Sequence, residues 1–118
     1  MPYRYVPRDF LKNPSFFGVR VDADWKPYDS SDLKQAQIVA ASYYQHLAAC
    51  ETLRQAGQRG WGMEELATAL GVNRHTLSRK LYGHAPADIT DMVSWAFVTE
   101  SVTVFPAPAD LGQMLPPP

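Results

Sequence analysis

The feature that most constrains the fold is the stretch at positions 63–83, MEELATALGVNRHTLSRKLYG. It holds two short runs of apolar residues at helical spacing, and Gly71, Val72 and Asn73 separate them. Gly71 can end the first run because glycine tolerates a positive φ, and Asn73 can cap the second, which Gly83 ends. The inward faces are Met63, Leu66, Ala67 and Leu70 in the first run and Leu77 and Leu81 in the second. The stretch therefore predicts two short helices joined by a tight turn.

The second of these helices is basic, although the chain as a whole is not. The net charge is −1 and the pI is about 6.3, which by themselves count against a nucleic-acid partner. Residues 51–84, however, hold five Arg and Lys residues against three Glu, a local charge of +2. Because the local sign of charge decides which partner a surface attracts, this segment is a candidate surface for an anionic polymer.

The spacing of the two helices resembles that of a known family. Ala67 is small where the helices would cross, Gly71 permits the turn, and Val72 and Leu77 would fill the angle between the helices. In these positions residues 50–98 resemble the helix-turn-helix of the lambda repressor and Cro class (XRE type). The resemblance implies a mainly α fold, a small helical bundle containing a helix-turn-helix. It also implies sequence-specific binding of double-stranded DNA by a transcriptional regulator of a phage, plasmid or toxin–antitoxin setting.

The resemblance further implies which residues contact DNA, with residues 74–82 as the recognition helix in the major groove. The implied base-contacting residues are Arg74, His75 and Arg79, and an arginine there can bind guanine O6 and N7 together. The implied phosphate-contacting residues are Asn73, Thr76, Ser78, Lys80 and His84.

A long helix is expected to precede the motif, beginning near Asp29–Asp32 and ending at the glycines of QAGQRGWG. Its apolar face is wide enough to bury two sides, which predicts a homodimer contact as well as a core contact. The predicted dimer-interface residues are Ile38, Tyr43, Tyr44 and Leu47, although the two tyrosines suit a core equally well. His46 is expected on the helix surface or in that interface.

The last predicted helix follows the motif and has the sequence DITDMVSWAFV. Asp88 and Asp91 are spaced as a variant of the capping box, which predicts where this helix begins. The predicted buried face consists of Ile89, Met92, Val93, Ala96 and Phe97. The helical domain is therefore expected to span residues 30–100.

Residues 1–29 form a predicted N-terminal arm, with four prolines and many aromatic residues. The segment at 16–23 alternates apolar and polar residues, as does the segment at 101–105, so the two could pair as a short two-stranded β ribbon, within one chain or between two. The aromatic residues must be covered, either by the partner subunit, which we favour, or by the arm's own domain. Residues 101–118 are expected to form the short strand and a proline-rich tail.

Other classes of function find little support in the residues. The sequence shows neither a set of nucleophile, base and acid residues nor a glycine-rich phosphate-binding loop, so nothing in it indicates an enzyme. We expect neither a cofactor nor a metal site. Cys50 is expected to be buried. No apolar run is long enough for a membrane span, and a cytoplasmic location is expected. The alternative function is a protein–protein interaction module on the same fold, such as an antitoxin or adaptor that does not read DNA.

Overall fold

The computed structural model describes residues 5–101 and confirms a mainly helical fold. Within that range lie four α-helices: α1 (Leu33–Gln58), α2 (Met63–Leu70), α3 (Arg74–Leu81) and α4 (Ile89–Thr99). Two short 3-10 helices, Pro7–Phe10 and Pro14–Phe16, precede them. Residues 5–101 include no β-strand.

Helix α1 lies at the centre of the core. It begins after Asp32, whose carboxylate accepts a hydrogen bond from the backbone N–H of Gln35 at 3.2 Å. Leu33 is 70% exposed, because the first turn extends beyond the core. The buried residues of α1 occupy more than one side of the helix and include polar ones: Val39, Ser42, Tyr43, Gln45, His46, Ala48, Ala49, Cys50, Thr52 and Ala56. Cys50 is buried, as predicted.

The predicted strand at 16–23 is wrong. Gly18 adopts a φ of 75°, which turns the chain directly after Phe17 and places that ring in the core. Val19 and Val21, which were expected to share a face with Phe17, are 59% and 61% exposed. The sheet-like pairing in the described residues is an isolated antiparallel bridge between Leu11 and Trp25. The second half of the predicted ribbon, at 101–105, lies outside the described residues except for Ser101.

The arm packs against its own chain. Leu11, Phe17 and Trp25 are buried in the same core cluster as α1, with exposures of 3% or less. The Trp25 ring lies 5.3 Å from that of Tyr43 on α1. Two of the aromatic side chains that led us to favour exchange between subunits, Phe17 and Trp25, are therefore covered within one subunit.

Helix α4 begins as predicted and buries Met92 as predicted, but most of the predicted apolar face is not buried. The Asp88 carboxylate accepts from the N–H of Asp91 at 2.8 Å, and Asp91 accepts from the N–H of Asp88 at 3.1 Å. The buried residues are Met92, Trp95 and Thr99, because the large Trp95 ring occupies the core. Three of the residues predicted to be buried are instead exposed: Ile89 (55%), Val93 (43%) and Phe97 (80%). We call these three residues the α4 stripe.

Candidate nucleic-acid interface

A tight turn joins α2 and α3, and the small and apolar residues expected between the two helices are mostly buried. Gly71 has a φ of 69°, and the following N–H of Val72 bonds to the carbonyl of Ala67 at 3.1 Å. Ala67 and Leu77 are 4% and 2% exposed, which fits a close contact between two helices. Val72 is 48% exposed, so its side chain is less buried than expected for a residue that fills the angle between the helices.

The outer face of α3 carries the predicted base-contacting residues. Arg74, His75, Thr76 and Arg79 are all exposed. Within the part of the chain that the structure describes, neither arginine takes part in an ion pair. The opposite face of α3 is buried through Leu77 and Leu81, so the outward face has a fixed orientation.

Asn73 begins α3, and its side chain is already engaged there. Its Oδ1 accepts hydrogen bonds from the backbone N–H groups of His75 at 2.9 Å and Thr76 at 3.1 Å. This is the geometry of an N-cap, which satisfies two of the unpaired donors of a helix. The side-chain amide N–H₂ of Asn73 is the group left to meet a phosphate.

Lys80 and Ser78 are less accessible than the other predicted phosphate contacts. Lys80 Nζ lies 2.9 Å from the Asp91 carboxylate, and both side chains are about three-quarters buried, with 27% and 28% exposed. The pair joins α3 to the first turn of α4, so the charge of Lys80 is balanced inside the protein. Ser78 is half-buried.

His84 lies just after α3 and contacts the N-terminal arm. The Arg8 guanidinium is within hydrogen-bond distance of the His84 ring, although 76 residues separate the two in sequence. Partial burial, followed by the positive charges of Arg8 and Arg79, lowers the pKa of His84, while Asp9 acts in the opposite direction. Arg8 is therefore a cation beside α3 that sequence reasoning did not find.

Gln45 of α1 holds the end of α3 in place, and this residue was also missed. Its side chain is 1% exposed. Its Nε2 donates to the carbonyls of Lys80 at 2.7 Å and Ala85 at 3.0 Å, and its Oε1 accepts from the N–H of Ala87 at 2.9 Å. A glutamine among apolar residues on a helix was the one sequence signal of a buried polar contact.

The arm also contacts the C-terminal end of α3. The N–H of Arg8 donates to the carbonyl of Gly83 at 3.0 Å. A Cβ on Gly83 would lie 2.6 Å from the Phe17 ring, and a Cβ on Gly18 would lie 2.3 Å from the Leu81 carbonyl oxygen. These close approaches require glycine at both positions. The C-terminal end of α3 is thus held between the arm and α1.

His46 fixes the arm to α1, which corrects its expected surface position. It is 0% exposed. Its Nδ1 accepts from the N–H of Gly18 at 3.0 Å, and its Nε2 lies 2.8 Å from the Arg20 carbonyl, which is the arrangement of a neutral imidazole with one donor and one acceptor. Burial lowers the pKa of His46.

The predicted dimer-interface residues on α1 are covered to different degrees. Tyr43 is 5% exposed and contacts Trp25, so it belongs to the core of the subunit and offers little surface to a second copy. Ile38, Tyr44 and Leu47 are half-buried, the last two against the core. The more exposed apolar surface is the α4 stripe.

Two findings on the described residues and one set of comparisons bear on the class of protein. None of the helices in residues 5–101 is both long and apolar enough to cross a bilayer. The same residues hold no cluster of three His, Cys, Asp or Glu side chains suited to a metal ion. Comparison with protein-family models, curated proteins and solved structures finds no match to this chain.

Proposed function

We propose that the protein binds double-stranded DNA as a transcriptional regulator, with α2, the turn at 71–73 and α3 acting as a helix-turn-helix. The observation that carries the proposal is the outer face of α3, where Arg74 and Arg79 are exposed without ion-pair partners among the described residues. An exposed arginine that forms no ion pair, on a helix whose orientation is fixed, can bind an external anion. The anchoring comes from the buried inner face of α3 and from Gln45.

In this proposal the N-terminal part of α3 enters the major groove and α2 crosses the backbone. Arg74, His75 and Arg79 reach base edges, and each arginine can select a guanine through two hydrogen bonds, worth about 1–3 kcal/mol of discrimination. Thr76, Asn73 and His84 are the remaining candidates for phosphate contacts. Lys80 contributes mainly to holding α3 against α4, because Asp91 already balances its charge.

Selection from random duplexes followed by footprinting tests this proposal directly. Arg74→Ala and Arg79→Ala should each weaken binding to the selected site by about 1–3 kcal/mol and relax the base preference at one position. Arg54→Ala is the matched control, since Arg54 is exposed on α1 but already paired with Glu51 at 2.8 Å. Equal binding by all three variants and the wild type would show that α3 is not the reading helix.

The proposal includes a homodimer, because one recognition helix reads only a few base pairs and two copies on a two-fold site supply the selectivity. The α4 stripe is the surface we assign to the second copy. Ile89, Val93 and Phe97 are spaced four residues apart, so a two-fold axis at Val93 lets the stripe pack against itself in antiparallel fashion. Such a self-complementary patch is what an isologous contact requires.

Sedimentation tests the dimer with Phe97→Glu, which should shift the protein toward monomer. Val21→Glu is the control, since Val21 is another exposed valine, 61% exposed on the arm. A wild-type protein that stays monomeric at high concentration and on its selected DNA site would contradict the dimer.

The α4 stripe also favours a second candidate function, a protein-interaction module that does not read DNA. Exposed apolar side chains in a continuous row often mark a protein contact. The two functions differ in their dependence on salt. Phosphate contacts make affinity for random duplex DNA fall steeply with salt, whereas a protein-only binder has no affinity for DNA to lose.

A further inference from the structure

The C-terminal end of α3 carries a group of basic side chains that comes from two distant parts of the chain. Arg8 belongs to the first 3-10 helix of the arm, and His84 follows α3. The guanidinium of Arg8 contacts the His84 ring, and the positive charge of Arg79 also acts on that ring. We call Arg8, Arg79 and His84 the cation cluster.

Main-chain hydrogen bonds hold the residues of this cluster next to one another, so the contact between the side chains does not depend on the side chains alone. The N–H of Arg8 is bonded to the Gly83 carbonyl at 3.0 Å, directly before His84. The N–H of His84 is bonded to the Arg79 carbonyl at 2.8 Å. All three members are therefore fixed to the end of α3 by main-chain hydrogen bonds.

The charge of the cluster is not balanced by ion pairs. Among residues 5–101, neither Arg8 nor Arg79 pairs with a carboxylate at ion-pair distance, and Asp9 is the acidic group whose charge acts on His84. Arg20, by contrast, lies on the same arm and has Asp22 at 3.5 Å. The positive charges of Arg8 and Arg79 both act on the His84 ring, and an external anion at this place would offset them.

We propose that Arg8 and His84 of the cation cluster bind a backbone phosphate of duplex DNA beside the site read by α3, with Arg8 as a DNA contact supplied by the arm and Arg79 left to its base contact. The guanidinium of Arg8 matches the geometry of a phosphate, and a charge-assisted hydrogen bond from His84 can complete the contact. This inference rests on the proposed function. It adds that the arm contributes directly to the DNA surface as well as supporting α3.

The test is the dependence of affinity on salt for a random duplex, measured for the full-length protein. Removing one phosphate contact lowers the slope of log K against log salt by about 0.9. When the salt concentration rises from 50 to 200 mM, the factor by which affinity falls should therefore be about 3.5 times smaller for Arg8→Ala than for the wild type. Arg8→Lys retains the charge and should keep the wild-type slope, and Arg20→Ala, the control on the same arm, should also keep it. Thermal melting of each variant establishes that the arm remains folded.

The outcomes separate this inference from the proposed function. If Arg74→Ala weakens binding to the selected site while Arg8→Ala keeps the wild-type slope, the cluster is not a phosphate contact and the DNA-binding proposal stands. If the wild-type protein binds no duplex, or binds with no dependence on salt, both proposals are overturned. A reduced slope for Arg8→Ala that Arg8→Lys restores supports the cluster.

Discussion

Replacement of Gln45 by leucine is the most direct test of how α3 is held in position. Leucine is apolar and has one side-chain heavy atom fewer than glutamine, so the change removes three hydrogen bonds without opening a large cavity. The Lys80 carbonyl keeps a backbone partner, the N–H of Gly83 at 3.3 Å. The Ala85 carbonyl and the Ala87 N–H lose the bonds that Gln45 makes to them at 3.0 and 2.9 Å.

The expected loss follows from these two groups. A buried polar group left without its partner costs about 1–3 kcal/mol. Ala85 and Ala87 are half-buried, so water can reach them in part and the lower half of that range applies. We therefore expect Gln45→Leu to lower the free energy of unfolding by about 2–4 kcal/mol. Affinity for DNA should fall as well, because the end of α3 is no longer fixed.

Urea denaturation followed by far-UV circular dichroism measures the change, and Gln37→Leu is the control. Gln37 is exposed on the same helix, so the same substitution there should alter stability by no more than about 0.5 kcal/mol. Hydrogen exchange adds a local measurement, since the amide of Ala87 should lose protection in Gln45→Leu. If the two variants unfold at the same urea concentration, Gln45 does not hold α3 and the reasoning is wrong.

Three further predictions concern the arm and the core. Because burial places the pKa of His46 below its ordinary 6.5, the stability it contributes is present above about pH 6.5 and is lost as the pH falls toward the lowered value. Urea midpoints should show this loss in the wild type and a smaller one in His46→Gln; His84→Gln, at an exposed histidine whose pKa is also lowered, measures the share of His84. Burial raises the pKa of the Cys50 thiol to about 12, so a thiol reagent should react with it only in denaturant, and rapid reaction in the folded protein would contradict its burial. Gly83→Ala should destabilise the protein by about 2–4 kcal/mol, because its Cβ would strike the Phe17 ring and its φ is 77°. Gly60→Ala is the control, since Gly60 has a φ of 72° but open space around it and should show only the smaller cost of backbone strain. Equal melting temperatures of the two variants would rule out the close contact at Gly83.

The local rules of helix formation predicted much of the helical domain. Gly71 ends α2 at a positive φ, Asn73 caps α3, and Asp88 with Asp91 begins α4, all as the sequence indicates. These features depend on residues within a few positions of one another. A side chain that satisfies its own backbone, or a glycine that permits a turn, acts in the same way wherever the helix is placed.

The α4 face and the arm were predicted wrongly because several arrangements share the same local pattern. Helix α4 has apolar residues on more than one side, and only the space available for the Trp95 ring decided that Val93 and Phe97 would face outward. In the arm, the alternation at 16–23 is that of a strand, but Gly18 turns the chain so that its backbone can approach Leu81. Packing against a distant element overrode the local preference in both cases.

By itself, the sequence determined the helices, their caps and the exposed basic face of α3, since these follow from spacing along the chain. Only the tertiary structure decided that Gln45 would hydrogen-bond to the end of α3 and that His46 would hydrogen-bond to the arm. It also decided that Arg8 would lie beside His84. These contacts join residues 28 to 76 positions apart. No local rule links such residues, because they meet only when burial of the apolar faces brings the arm, α1 and α3 together.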